Sequence, residues 1–159
     1  MIEAQHAHDA NKPHTPKETE VFLDEAEAIA ESKGQKLTPI RRKVLELLLD
    51  SREPAKAYDL LEKIEGYGAA KPPTIYRALD FLQSVGLAHK IESLNAYVAC
   101  GHINHEHSAV FLICDKCGGA EELHADATSS ALGEDLRAAG FEIKATTIEA
   151  RGICRDCNE

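Results

Sequence analysis

Apolar residues recur along the first hundred positions with a helical period. Phe22, Ala26, Ile29 and Ala30 fall at i, i+4, i+7 and i+8, which predicts an amphipathic helix over residues 19–33, ended by Gly34. Thr38 then suits an N-cap and Pro39 the first helical position, and Ile40, Val44, Leu47 and Leu48 carry a second helix to about residue 50. Ala57, Leu60, Leu61 and Ile64 mark a short third helix, closed by Gly66 and Gly68. A fourth opens at Lys71-Pro72-Pro73-Thr74. It buries Ile75, Ala78, Leu79, Leu82 and Val85, turns Tyr76, Arg77, Asp80 and Gln83 outward, and stops at Gly86. Two strand-like pieces, 87–91 and 97–99, flank a polar turn at 92–96 and read as a hairpin, or wing.

Short helices followed by a two-stranded wing predict a winged helix-turn-helix, whose last helix enters the DNA major groove and meets base edges with its N-terminal residues, here from Thr74 onward. After Cys100 the pattern changes. Gly101-His102-Ile103-Asn104-His105-Glu106-His107 has no apolar period, and beyond it 109–114 and 119–124 read as strands, 127–139 as a helix and 141–150 as a third, alternating strand. The expected class is α+β: a flexible tail over 1–18, a winged-helix DNA-binding domain over 19–99, a hinge and metal-binding connector over 100–107, and a small α/β dimerisation and metal-binding domain over 108–159.

No apolar run reaches the length of a membrane span, and the polar, His-containing start lacks the apolar centre of a signal peptide, so a cytoplasmic protein without membrane contact is expected. The formal charge of -9 argues against a protein that simply coats nucleic acid, because non-specific affinity comes from phosphate neutralisation. The distribution is uneven. Residues 1–100 carry 13 basic and 16 acidic side chains, residues 101–159 carry 5 and 11, and residues 33–43 hold Lys33, Lys36, Arg41, Arg42 and Lys43 with no acid. That run is either a phosphate-facing stripe, with Arg41 and Lys43 as contacts, or a solvated helix start.

Four of the five cysteines form two Cys-x-x-Cys pairs, Cys114 with Cys117 and Cys154 with Cys157, which supply the thiolates of a closed tetrahedral structural zinc site. The 36 residues between the pairs require the chain to turn back on itself. A redox use would need a pair at a helix N-terminus after a strand, and two separate pairs suit metal better. A second constellation mixes nitrogen, sulfur and oxygen donors around the expected boundary: His89, Cys100, His102, His105, His107, Glu122 and His124. One Cys, two His and one carboxylate would make a tetrahedral zinc site, and a set containing a thiolate favours zinc over iron or manganese. Spacing does not choose among these donors. For His102 and the tail residues His6, His8 and His14 a plain surface role is preferred.

Several separated stretches occur in an order that resembles the zinc uptake regulators of the ferric uptake regulator superfamily: Leu37-Thr38-Pro39-Ile40-Arg41, Ala57-Tyr58-Asp59-Leu60-Leu61, the twelve residues from Lys71 to Leu82, His89-Lys90-Ile91-Glu92-Ser93, and both cysteine pairs. The resemblance runs from about residue 20 to the end. It implies a homodimeric, zinc-loaded repressor of zinc-uptake genes that binds palindromic, A·T-rich operator DNA and holds about two zinc ions per protomer. It implies structural zinc at Cys114, Cys117, Cys154 and Cys157, and regulatory zinc at His89, Cys100, His107 and Glu122. A further metal site could draw on His105, Glu122 and His124. Tyr58, Tyr76 and Arg77 are the implied DNA contacts, with Arg77 suited to a purine edge.

The rival readings are an iron- or peroxide-responsive regulator of the same superfamily and, in other classes, a zinc buffer or a zinc-dependent enzyme. Catalysis is disfavoured, because no His-Glu-x-x-His motif occurs, nor His-x-Glu with a paired Pro-Cys-x-x-Cys.

Overall fold

The computed structural model describes residues 14–51, 53–64, 70–101, 103, 109–144 and 146–158. Most of the expected tail, Gly66 and Gly68, and most of the 100–107 connector lie outside the described residues.

Helix α1 (Pro16–Ser32) begins three residues before its apolar period predicts. The cause is a capping box: Thr15 accepts the Glu18 backbone N–H, the Glu18 carboxylate accepts the Thr15 N–H at 2.7 Å, and Pro16 takes the first helical position. Residues 16–18, expected in the tail, are therefore helical. Helix α2 (Pro39–Asp50) starts at the expected Thr38–Pro39 junction, where Thr38 has the extended backbone of an N-cap but its hydroxyl makes no capping bond. Helices α3 (Ala57–Lys63) and α4 (Pro72–Ser84) follow. Leu23, Val44, Leu45, Leu60, Ile75, Leu79 and Leu82 build their common core. Phe81 is buried as well, on a side of α4 that the predicted stripe left out.

Strands β1 (Ala88–Ile91) and β2 (Ala96–Ala99) form the hairpin, with His89 opposite Val98 and Ile91 opposite Ala96. The expected polar turn between them is a 3-10 turn (Glu92–Leu94) closed by Asn95, which takes the left-handed conformation at φ 47°. Alternation along a strand gives the hairpin two faces. Ala88, Tyr97 and Ala99 pack into the helical core, whereas Ile91, Leu94 and Val98 pack with Ala109, Phe111, Ile113 and Ala120 of the second unit.

That unit is a three-stranded sheet in the order β4-β3-β5. Central β3 (Ala109–Cys114) pairs antiparallel with β4 (Ala120–Leu123) and parallel with β5 (Thr147–Gly152), and α5 (Asp126–Ala138) lies in the crossover between β4 and β5. The third strand was expected from residue 141 but begins at 147. Residues 139–141 instead finish the helix: Gly140, at φ 73°, donates its N–H to Arg137 and Phe141 donates to Leu136. Phe141 and Ile143 alternate as predicted, but both are exposed. No residue of α5 is buried either, so its Leu132 and Leu136 stripe is only half covered.

Candidate metal centres and nucleic-acid interface

The parallel β3–β5 pairing brings the distant cysteine pairs together, because Cys114 at the end of β3 lies opposite Gly152 at the end of β5, just before Cys154. One ligand atom from each of Cys114, Cys117, Cys154 and Cys157 lies within 4.8 Å of the others. The Cys117 and Cys154 sulfurs are 3.9 Å apart, close to the edge of about 3.8 Å expected for a tetrahedron with zinc–sulfur bonds of ~2.3 Å. The Cys-x-x-Cys loop is itself ordered. Gly118, at φ 73°, donates to the Cys114 carbonyl, Lys116 reaches the Cys157 carbonyl at 2.7 Å, and Arg151 donates twice to Asp115.

The thiols are not equivalent. The Cys154 backbone N–H, 3.4 Å from the Cys114 sulfur, is the first cause that pulls the Cys114 thiol down to about 6, followed by the N–H of Cys117. Hydrogen bonding with the Cys154 thiol is the first cause that pushes Cys157 up to about 12. A soft divalent cation would meet one thiolate already formed and displace the remaining protons.

The second cluster spans both packed units. His89 comes from β1, Cys100 from the end of the hairpin and Glu122 from β4, and their ligand atoms lie within 4.8 Å of one another. His89 Nε2 and Glu122 Oε1 are 3.4 Å apart, again close to the edge of about 3.3 Å for a tetrahedron with bonds of ~2.0–2.1 Å. Each donor is held. Glu122 is buried and its Oε2 accepts the Gly101 N–H at 2.9 Å, the His89 ring meets Phe111 edge-on at 5.6 Å, and the Cys100 N–H donates to the Leu87 carbonyl. Of the seven donors singled out in the sequence, these three converge. His102, His105 and His107 lie outside the described residues, and His124 is exposed and hydrogen-bonded to Asp126 at 2.9 Å.

On the helical unit Tyr58, Tyr76 and Arg77 are exposed and Thr74 is half-buried near the start of α4. Lys90 of the hairpin pairs with Glu92 at 2.8 Å. The basic run 33–43 is largely engaged inside the fold. Lys33 donates to the Val85 carbonyl at the C-terminus of α4, and Arg42 faces Glu20, Asp24 and Glu27 of α1 at 2.9, 3.2 and 3.4 Å. The Arg41 guanidinium lies 3.7 Å over the Phe81 ring and donates to the Lys36 carbonyl. Arg41 thus braces α4. Lys43 pairs with Glu46 at 3.0 Å, a surface bond worth about 0.2–1 kcal/mol that leaves it able to turn toward phosphate.

Residues 32–151 match the ferric uptake regulator family. The chain is 39% identical over 143 residues to the zinc uptake regulation protein of Escherichia coli (strain K12), covering 89% of this chain and 84% of that one. Its structure is similar to that of a zinc uptake regulator complexed with zinc and DNA, at 38% identity and TM-score 0.84, covering 91% of this chain and 97% of that one. It is also similar to holo XcZur, at 45% identity and TM-score 0.80 over 87% of this chain and 97% of that one. Against apo XcZur, at 44% identity over 90% and 99%, the TM-score falls to 0.51. Identity is the same to within a percentage point, so the difference between the two TM-scores lies in arrangement rather than in sequence. The chain belongs to the ferric uptake regulator family.

Proposed function

We propose that this chain is a zinc-responsive transcriptional repressor that binds operator DNA as a zinc-loaded homodimer and controls zinc-uptake genes. The observation that carries the reading is the convergence of His89, Cys100 and Glu122 from the hairpin and the second sheet on one point. The likeness to a regulator solved with zinc and DNA supports it. His107 is proposed as the fourth ligand, and the four-cysteine cluster as the structural site.

Charge limits how such a switch could act. With thiols counted as neutral and Glu122 as ionised, filling the four-thiol site changes the charge by about -2, and filling the second by about +1, on a chain of formal charge -9. Bulk neutralisation therefore cannot create DNA affinity, and the effect must be geometric. Bound at the second site, zinc would supply a bridge between the hairpin and the sheet. His89 and Cys100 would hold it from the hairpin side and Glu122 from β4, fixing how α4 is presented. In a two-fold dimer that orientation sets whether two recognition helices reach successive major grooves about 34–36 Å apart.

Dimerisation through the second unit is supported by the exposed Leu112, Leu123, Phe141, Ile143 and Ile153, together with the half-covered α5. Tyr58, Thr74, Tyr76 and Arg77 form the proposed DNA face, with Lys43 as an outer phosphate contact. The proposed organisation is the helical unit with its hairpin, the connector and the sheet unit. Among the described residues no helix is long and apolar enough to cross a membrane, and a cytoplasmic location is proposed. The thiolate among the second-site donors favours zinc over an iron or peroxide response, and the family is one of regulators rather than enzymes.

The deciding experiment is selection of binding sites from a random duplex pool, with zinc buffered at a low free level and with a chelator that spares the four-thiol site. Enrichment of an A·T-rich palindrome only with zinc is expected. No enrichment with zinc, iron or manganese would overturn the reading.

A further inference from the structure

Glu149 belongs to neither metal cluster. In β5 it sits in register with Phe111, and Phe111 in turn sits in register with Glu122 of β4. In-register residues share a face of a sheet, so Glu122, Phe111 and Glu149 form one row that looks toward the hairpin. Each member of the row takes a different part of it. Glu122 meets His89 near the base, Phe111 packs in the apolar seam with Ile91, Leu94 and Val98, and Glu149 takes the tip. Its Oε1 accepts the Glu92 N–H at 2.7 Å, and its Oε2 accepts the Ser93 N–H at 3.3 Å.

Those two N–H groups open the 3-10 turn, where no partner is available within the turn itself. An ionised carboxylate is a strong acceptor for them, because charge-assisted bonds are roughly twice as strong as neutral ones. The surroundings keep the Glu149 carboxyl below its ordinary range, consistent with an ionised acceptor.

We propose that Glu149 is a positioning residue that fastens the tip of the hairpin to the second sheet. The placement of α4 is then set by two carboxylates of one sheet, of which only Glu122 is a candidate metal ligand. Part of the closed arrangement is independent of metal, and zinc completes a clamp already half made. The fastening stands on geometry alone, while its effect on DNA rests on the repressor reading above.

The test uses the full-length, zinc-loaded protein with Glu149→Ala, Glu149→Gln and Glu92→Pro. The last removes the closer donor from the opposite partner. Proline is tolerated at the first position of a turn, and Ile91 before it is already extended at φ -93° and ψ 103°. In the Glu149 variants, amide exchange at Glu92 and Ser93 should quicken on the order of tenfold, and in all three variants X-ray scattering should report a broader spread of domain arrangements. Affinity for a duplex selected by the wild-type protein should fall by a similar factor, as should zinc affinity at the second site, by linkage. The circular dichroism and the zinc of the four-cysteine site should stay unchanged. Should Glu149→Ala fail to fold, Glu92→Pro carries the test. Wild-type amide exchange and scattering in the variants would overturn the fastening itself. Altered scattering with wild-type duplex affinity would overturn the claim that it orients α4 for DNA, and a wild-type protein that selects no duplex would count against the repressor reading, with the fastening still decided by exchange and scattering.

Discussion

His89 and Glu122 meet at 3.4 Å from opposite sides of the junction between the two packed units. Two polar groups held at that distance with a buried thiol beside them form a hinge pin, because displacement of either unit separates the donors. Cys100 tests this without touching either bulk core. Cys100→Ser should lower zinc content from about two ions per protomer to about one and abolish zinc-dependent DNA binding, with the fold retained. Inductively coupled plasma analysis and a gel-shift titration read the two effects, and unchanged zinc dependence would remove Cys100 from the mechanism.

Cys114→Ser should behave differently. Cys114 ends the central strand and its sulfur accepts the Cys154 N–H, so the substitution loosens the return of β5 as well as a ligand set. Loss of the tightly held zinc together with a lowered melting temperature or loss of the dimer is expected. A dimer of wild-type stability lacking that metal would contradict a structural role.

Arg77 and Arg41 should separate recognition from support. Arg77→Ala removes an exposed side chain, so stability should move within about 0.5 kcal/mol while discrimination at one base pair falls by about 1–3 kcal/mol. Arg41→Ala removes the stack on Phe81 and should cost about 0.5–2 kcal/mol of folding stability, with the salt dependence of DNA binding unchanged. A reduced salt slope in Arg41→Ala would return that residue to the phosphate contacts.

The surroundings of Arg41 show where sequence reading stops. A helical period locates α2 and α4, and the Thr38–Pro39 junction marks a helix start, because these signals are local. The cysteine pairs and the donors His89, Cys100 and Glu122 were recognisable by chemical type and family likeness. The run 33–43 carries no local sign that Lys33 caps α4, that Arg41 stacks on Phe81 or that Arg42 faces three acids of α1, since each partner comes from another helix. Glu149 was invisible for the same reason. Its meaning comes from register with Phe111, which pairing of strands creates and spacing does not encode. The apolar alternation at Phe141 and Ile143 misled because exposed apolar residues keep the same period as buried ones.

Acid should loosen the Glu149 contact. Its carboxyl is held below the ordinary range first by a hydrogen bond with the Ser93 side chain, then by the N–H groups of Glu92 and Ser93 and the charge of Arg151. A group whose folded pKa is depressed contributes stability that is fully present above its unfolded value of about 4.3 and is lost as pH falls through the folded value. X-ray scattering between about pH 3 and 7 should show the arrangement open on the acid side. That acid limb should shrink in Glu149→Gln, and its undiminished persistence there would assign it to other groups of the junction, His89 and Glu122 among them.

Phe111→Ala should remove about 3–5 kcal/mol of stability, since the ring is fully buried between the sheet and the hairpin. Chemical denaturation is expected to show one transition in the wild-type protein and two in the variant, as the units cease to unfold together. One sharp transition in the variant would mean that the seam does not couple them.

The hairpin gives one face to each core, so the border between the units is a layer of protein rather than a point along the chain. Severing the chain after Ala99 would keep every helix of the first unit yet strip the cover from Ile91 and Val98. The reading head is thus no portable module. A chimera that joins it to a foreign second unit must bring along matching partners for that face, or it will carry an oily scar where its switch used to be.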